Sequence, residues 1–174
     1  MLAGCIAVPA GQNPVNINNT FSNQTGEVQN MKSLLIESPV FRSMEKIPSR
    51  FTCDGEGINP PLTIKNIPAE AKSLAVIMDD PDAPMGTWDH WIIWNIPIQE
   101  NIRENSQPGV EGRNSWNNNE YGGPCPPSGS HRYFFKVYAL DKMLSLSPSS
   151  KKKDVVAAIS GHVIASGQLV GMYR

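Results

Sequence analysis

The chain has 174 residues, 40% of them hydrophobic, and a formal net charge of -1. That length supports one domain with a proper core plus some surplus chain. The near-neutral balance excludes a basic nucleic-acid footprint, which needs clustered Lys and Arg, and no apolar run reaches the ~20 residues of a membrane-spanning helix.

Residues 1–30 differ in composition from the rest of the chain. The stretch GQNPVNINNTFSNQTGEVQN is rich in Asn, Gln, Thr and Gly. It offers too little apolar surface to offset its ordering entropy, so it reads as a flexible polar leader before a domain spanning 31–174. Leu2-Ala3-Gly4-Cys5 resembles the lipobox of secreted lipoproteins, in which Cys5 becomes the lipid-bearing residue. The charged and apolar regions of a signal peptide do not precede it. Export or anchoring through Cys5, a cytoplasmic location, and a translation start at Met31 all stay open. Asn18-Asn19-Thr20 and Asn23-Gln24-Thr25 match glycosylation acceptors, a triplet that polar segments produce by chance.

From Lys32 onward the pattern is period two or short apolar runs. SLLIES and LTIKNI read as strands. SLAVIM is apolar on both faces and predicts a central, doubly covered strand. WDHWIIWNI and HRYFFKVYAL predict longer strands. Between them stand the breakers GINPPL, DDPDAPMG and GGPCPPSG. Many strands with such turns argue for an all-β sandwich or barrel. One helix is predicted over about 151–166, capped by Ser149 or Ser150, with Val156, Ile159 and Val163 on one face. Lys151-Lys152-Lys153 reads as its solvated start. GQLVGMYR then closes the chain as a last strand.

Strand parity groups the residues able to do chemistry. In HRYFFKVYAL, His131 and Tyr133 share a face with Phe135 and Val137; in WDHWIIWNI, Trp88 and His90 share one with Ile92 and Trp94. Either His alone reads as a satisfied structural histidine. Both, however, open a strand beside a Gly- or Pro-rich loop. In DDPDAP, Pro81 and Pro84 stiffen a turn that holds Asp80 and Asp82, which taken alone is an Asx-type turn.

Three stiff segments ending in polar groups point to one preorganised pocket. Prolines remove competing backbone donors and lower the entropy of the unbound loop. Glycines let a ligand approach the backbone. Two imidazoles, charged by a neighbouring Asp, and the N–H groups of Gly123 or Cys125 suit a phosphate or carboxylate. Two Asp and two His would equally suit zinc or iron. A serine hydrolase using Ser128 or Ser130 beside His131 is a further option, although no GxSxG elbow occurs. The three cysteines form no CxxC motif.

DDPDAPMGTWDHWIIWNIP, YGGPCPPSGSHRYFFKVYALD and FTCDGEGINPPL resemble the phosphatidylethanolamine-binding protein family, which includes the Raf kinase inhibitor proteins, and its prokaryotic branch in particular. The likeness runs from about Met31 to Arg174. It implies a mainly β fold: a large central antiparallel sheet packed on a smaller one, with a short C-terminal helix. It also implies a small-anion pocket with Asp80, Asp82, Pro84 and His90 on one wall, and Gly123, Cys125, Pro126, His131 and Tyr133 on the other. Trp88 lies near the mouth, and Asp54 supports from behind.

The resemblance weighs against a metal, a cofactor or an enzyme. It favours non-enzymatic binding of phosphate, phosphoryl headgroups or similar anions, with inhibition of a kinase or protease as a related role. A metal-dependent or serine hydrolase of phosphoesters or esters is the alternative. The expected partner is a small anion rather than nucleic acid, with a homodimer left open. Cys53 and Cys125 are either free thiols beside the pocket or, in an exported protein, a disulfide joining two pocket loops.

Overall fold

The computed structural model describes residues 32–174, so the readings placed on residues 1–31, Cys5 among them, lie outside the described residues. In chain order the elements are β1 (Lys32–Ser33), β2 (Leu35–Glu37), a 3₁₀ turn (Ser49–Phe51), β3 (Leu62–Lys65), β4 (Ser73–Asp80), β5 (Trp88–Ile96), β6 (Asn101–Ile102), β7 (Val110–Glu111), β8 (His131–Leu140), α1 (Lys152–Ile159) and β9 (Val163–Tyr173).

The large sheet has six strands in the order β1-β9-β8-β4-β5-β7, antiparallel throughout except for β1 beside β9. The small sheet is β2-β3-β6, antiparallel. Alternation along the central strands builds two cores. Leu74, Val76 and Met78 of β4, Trp91 and Ile93 of β5, and Tyr133, Phe135 and Val137 of β8 face the small sheet, where they meet Ile36, Leu62, Ile64 and Ile102. Ala75, Ile77, Ile92, Trp94 and Leu140 face the other way and are covered by Val155 and Ile159 of α1 together with Leu144. Every residue of β4 is buried, as a strand apolar on both faces should be. The expected fold class, a large sheet on a small one with a short C-terminal helix, is the one found.

The helix is shorter than its periodicity predicts. It ends at Ile159, and Gly161 follows at φ +76°, a left-handed conformation that stops a helix. Val163 is not on the helix at all: it pairs with Leu140 at the start of β9, which runs ten further residues beside β8. A β-branched Val163-Ile164 pair gains more from that ladder than from one more helical turn. The buried helical positions are Val155 and Ile159, while Val156 is 47% exposed. Neither Ser149 nor Ser150 occupies the N-cap. Lys151 does, and its N–H donates to the Asp154 carboxylate at 2.9 Å.

The two faces of α1 should therefore respond differently to truncation. Ile159→Ala is expected to cost about 2–4 kcal/mol, whereas Val156→Ala should stay within about 0.5 kcal/mol. Urea unfolding of the two variants checks this, and equal losses would place the wrong face against the sheet.

Candidate functional site

β4 and β8 lie side by side, so Asp80 at the end of one and His131 at the start of the other come together. His131 Nδ1 donates to Asp80 Oδ2 at 2.7 Å, and both side chains are almost fully buried. The Asp80 carboxylate also accepts the Asp82 N–H at 2.8 Å, the Asx-type bond that the DDPDAP turn predicts. The pair fixes the His131 tautomer: with the proton on Nδ1, the ring's Nε2 is left for another partner.

His90 arrives by a route the alternation does not foresee. Across the β4–β5 ladder, Asp79 pairs with Asp89 and Met78 with Trp91, so His90 is an extra residue in β5. This bulge takes it out of the Ile92–Trp94 face, where parity puts it. Its ring instead meets that of Tyr133, edge to face, with centroids 5.2 Å apart. His90 Nδ1 donates to Gly122 O at 2.7 Å. Burial lowers the His90 pKa, with only partial opposition from that hydrogen bond and the Asp80 charge, so the ring is neutral near neutral pH. Its Nε2 is then an acceptor.

Trp88 pairs with Asp80 across the ladder and stacks edgewise on Trp116 at 5.4 Å; Trp116 also meets His90 at 5.0 Å. Two buried donors here have no hydrogen-bond partner among the described residues: Trp88 Nε1 and the Tyr133 hydroxyl. Burial, with the Asp80 charge added, raises the Tyr133 pKa, so its hydroxyl keeps its proton. Trp94 Nε1 and Asp79 Oδ1 are likewise unpartnered, but both lie toward α1, on the other side of the sheet.

Asp82 is drawn elsewhere. Arg132 clamps its carboxylate through Nε at 2.8 Å and Nη2 at 2.7 Å, and the Arg132 N–H adds a third bond at 3.0 Å. Those bonds lower the Asp82 pKa to about 2. The second loop joins the site through its backbone. Gly123 packs so tightly on the Thr52 backbone that a Cβ would lie 2.9 Å from Thr52 Cα. Cys125 is bonded to Cys53, which resolves the two alternatives for these thiols in favour of the disulfide. Closing a loop across a separation of 72 residues, the bond contributes about 4 kcal/mol in the chain-entropy picture. A cavity of about 430 Å³ opens beside it, lined by both cysteines, Gly122, Gly123, Trp116 and Glu120 among others. Pro84 is exposed in the turn after β4, and Pro126 is half-buried. Asp54 accepts the Tyr173 hydroxyl at 2.5 Å and so braces the end of β9.

Behind the site, Asp79 and Asp89 lie opposite each other on the α1 face. Lys152 bridges them at 2.6 and 2.8 Å, and Lys136 adds a bond to Asp79 at 2.8 Å. Burial works against the Lys152 ammonium, yet these carboxylates hold its pKa above the ordinary lysine value. Lys152 is therefore an internal anchor and not part of a solvated run. Among the described residues no group of three or more His, Cys, Asp and Glu is gathered for a metal ion. Asp80 and His131 have the relation of an acid–imidazole couple, but Ser128 and Ser130 are exposed, and no serine is bonded to His131 among the described residues. Arg132, Trp116 and Gly122 escape the sequence reading. Arg132 carried the clearest signal, a guanidinium beside His131 with two stiffened carboxylates needing a cation.

The sequence profile of the phosphatidylethanolamine-binding proteins matches residues 37–174. A UPF0098 protein of Methanothermobacter thermautotrophicus is 48% identical over 147 residues, covering 80% of this chain and 97% of that one. The crystal structure of CT736 from Chlamydia trachomatis, described as a phosphatidylethanolamine-binding protein homologue, matches with a TM-score of 0.79 at 39% identity, over 82% of this chain and 98% of that one. YbcL of E. coli, described as a member of the mammalian family, matches with a TM-score of 0.76 at 27% identity and the same coverage. The chain belongs to the phosphatidylethanolamine-binding protein family, in its prokaryotic form. Members of that family are in general binding proteins, and a binding or regulatory role in that broad sense carries to this chain.

The Asp82–Arg132 clamp makes stability depend on pH. Asp82 has a folded pKa of about 2, below its unfolded value of about 3.9, so its contribution is complete above the unfolded value and is lost as pH falls through about 2. Thermal melts of wild type and Asp82→Asn should differ above about pH 4 and converge toward pH 2. A constant gap across that window would show that the carboxylate charge is not what Arg132 holds.

Proposed function

We propose that the protein binds phosphate, a phosphoryl headgroup or a similar small oxyanion in the space around His90, His131 and Tyr133, without turning it over. The observation that carries this reading is the pair of buried donors without partners, the Tyr133 hydroxyl and Trp88 Nε1, beside the tautomer-fixed His131. An unsatisfied buried donor costs about 1–3 kcal/mol, and an oxyanion accepts from donors of this kind. With Nδ1–H kept on Asp80, His131 can donate from Nε2 to an oxyanion only as the imidazolium.

His90 plays a different part from the donor that the motif alone suggests. As a neutral acceptor it takes the P–OH proton of a monoprotonated phosphate. Sulfate offers no such proton near neutral pH. The site is thus suited to phosphate over sulfate until His90 itself protonates, which its lowered pKa delays to below the ordinary histidine value of about 6.5. Inhibition of a kinase or protease by docking a phosphorylated segment there is the related regulatory role.

Calorimetry with inorganic phosphate and sulfate tests the reading. Phosphate is expected to bind about tenfold more tightly than sulfate, a difference of about 1.4 kcal/mol, at about pH 7.5, with the preference shrinking toward about pH 5.5 as His90 charges. Tyr133→Phe should weaken phosphate about tenfold while leaving the melting temperature unchanged or higher, because it deletes a donor that has no partner among the described residues. His131→Ala is the poorer probe, since it strands the buried Asp80 charge and costs stability. No phosphate binding, or an unchanged affinity in Tyr133→Phe, sinks the proposal.

A further inference from the structure

The segment after Tyr121 is a proline-stiffened span bounded by glycines, of which Gly123 packs closely on the Thr52 backbone. Gly122 and Gly123 precede it and Gly129 follows at φ +72°; between them stand Pro124, Pro126 and Pro127. Prolines hold the middle rigid, so motion is confined to the glycines. One covalent tie crosses from this span to the rest of the molecule, the Cys53–Cys125 disulfide. The other ties at the junction are ordinary hydrogen bonds, among them Gly122 N–H to His90 O at 2.9 Å. Cys53 N–H donates to Pro124 O at 3.1 Å, and the Tyr121 hydroxyl donates to Phe51 O at 3.0 Å. The span also carries part of the site: Gly122 O holds the proton of His90 Nδ1 and thereby fixes which His90 nitrogen faces a ligand.

The disulfide is not a core staple. Both cysteines are exposed, both line the 430 Å³ cavity, and neither belongs to the cluster between the sheets. A bond so placed is open to attack by a thiolate without unfolding, and exposed disulfides are the labile, regulatory kind. We propose that Cys53–Cys125 is a redox latch on the pocket, closed when oxidised and opened by a dithiol reductant. A thiolate of the dithiol attacks one sulfur, and the other leaves as a thiolate and takes up a proton. The second thiol of the reductant then resolves the mixed disulfide. Cys53 and Cys125 become two thiols, and the reductant's pair becomes a disulfide. The wall between Gly123 and Gly129 then loses its covalent tie to the Cys53 loop, and the Gly122 carbonyl that fixes His90 is held by hydrogen bonds alone. The consequence for anion affinity rests on the reading given under Proposed function; the latch itself does not.

The test uses the full chain, oxidised and after treatment with dithiothreitol in native buffer followed by removal of the reductant. Alkylation and peptide mass analysis count the thiols at Cys53 and Cys125. Hydrogen exchange is followed over residues 121–130, with β4 as an internal control, and inorganic phosphate affinity is measured on both forms. Both thiols should appear without denaturant. Exchange in 121–130 should speed up about tenfold with β4 unchanged, and phosphate should weaken about tenfold. Reoxidation should restore both, and a Cys53→Ser, Cys125→Ser variant should match the reduced form. A bond that resists dithiothreitol until the protein is denatured overturns the latch. So does unchanged exchange in 121–130 after reduction. If neither form binds phosphate, the anion reading fails, while thiol count and exchange still decide the latch.

Discussion

His90 has no partner across the β4–β5 ladder, and the site depends on that one surplus residue. With β5 in perfect register, the imidazole would point toward α1 and join Ile92 and Trp94 in an apolar layer. The bulge between Asp89 and Trp91 turns it to the other face, against Tyr133 and Trp116. Two consecutive acids on β4 are divided by the same sheet. Asp79 faces α1, where Lys136 and Lys152 meet it, while Asp80 faces the pocket and holds His131. The bulge sets which side of the sheet His90 occupies, and the strand pleat sets which side His131, Asp79 and Asp80 occupy.

Charge is matched locally on both sides. Asp79 and Asp89, directly opposite on one face, would repel, and Lys152 from the first turn of α1 sits between them. Asp82 takes Arg132, and Asp80 takes His131. Asp82 is thus neutralised by a guanidinium, while Asp80 is hydrogen-bonded to an imidazole. Removing either member of the buried pairs strands the other, which is why conservative changes such as Tyr133→Phe separate function from folding more cleanly than deletion of an imidazole.

β4, β5 and β8 are legible in the sequence because their apolar runs are bounded by proline and glycine, and burial on both faces leaves a continuous hydrophobic signature. The pairing of His131 with Tyr133 on one face follows from period two alone. The facing of His90 does not, because a bulge depends on how two strands align and leaves no mark in either strand by itself. The helix overrun has a related cause: Val163 and Ile164 fit a helical stripe as well as a strand, and only the β8 ladder decides between them. Trp116 is silent for the same reason, since its role arises from a loop packing on β5. The disulfide stays open in sequence, because spacing of 72 residues says nothing about Cα separation, which is 5.4 Å in the fold.

The site is arranged at a standing cost. Two buried donors lack partners among the described residues, two histidines are fixed in chosen tautomers, and a Gly–Pro loop is held close to a neighbouring backbone at Gly123. A fold with two well-filled cores tolerates such a region, and the surplus stability of the sheets offsets it. The tolerance brings a benefit: groups already desolvated and oriented need little reorganisation for the anion binding we propose. The disulfide belongs to the same set of constraints. It removes loop freedom that a ligand would otherwise have to remove, and it does so with a bond placed at the surface, where chemistry in the surroundings can undo it.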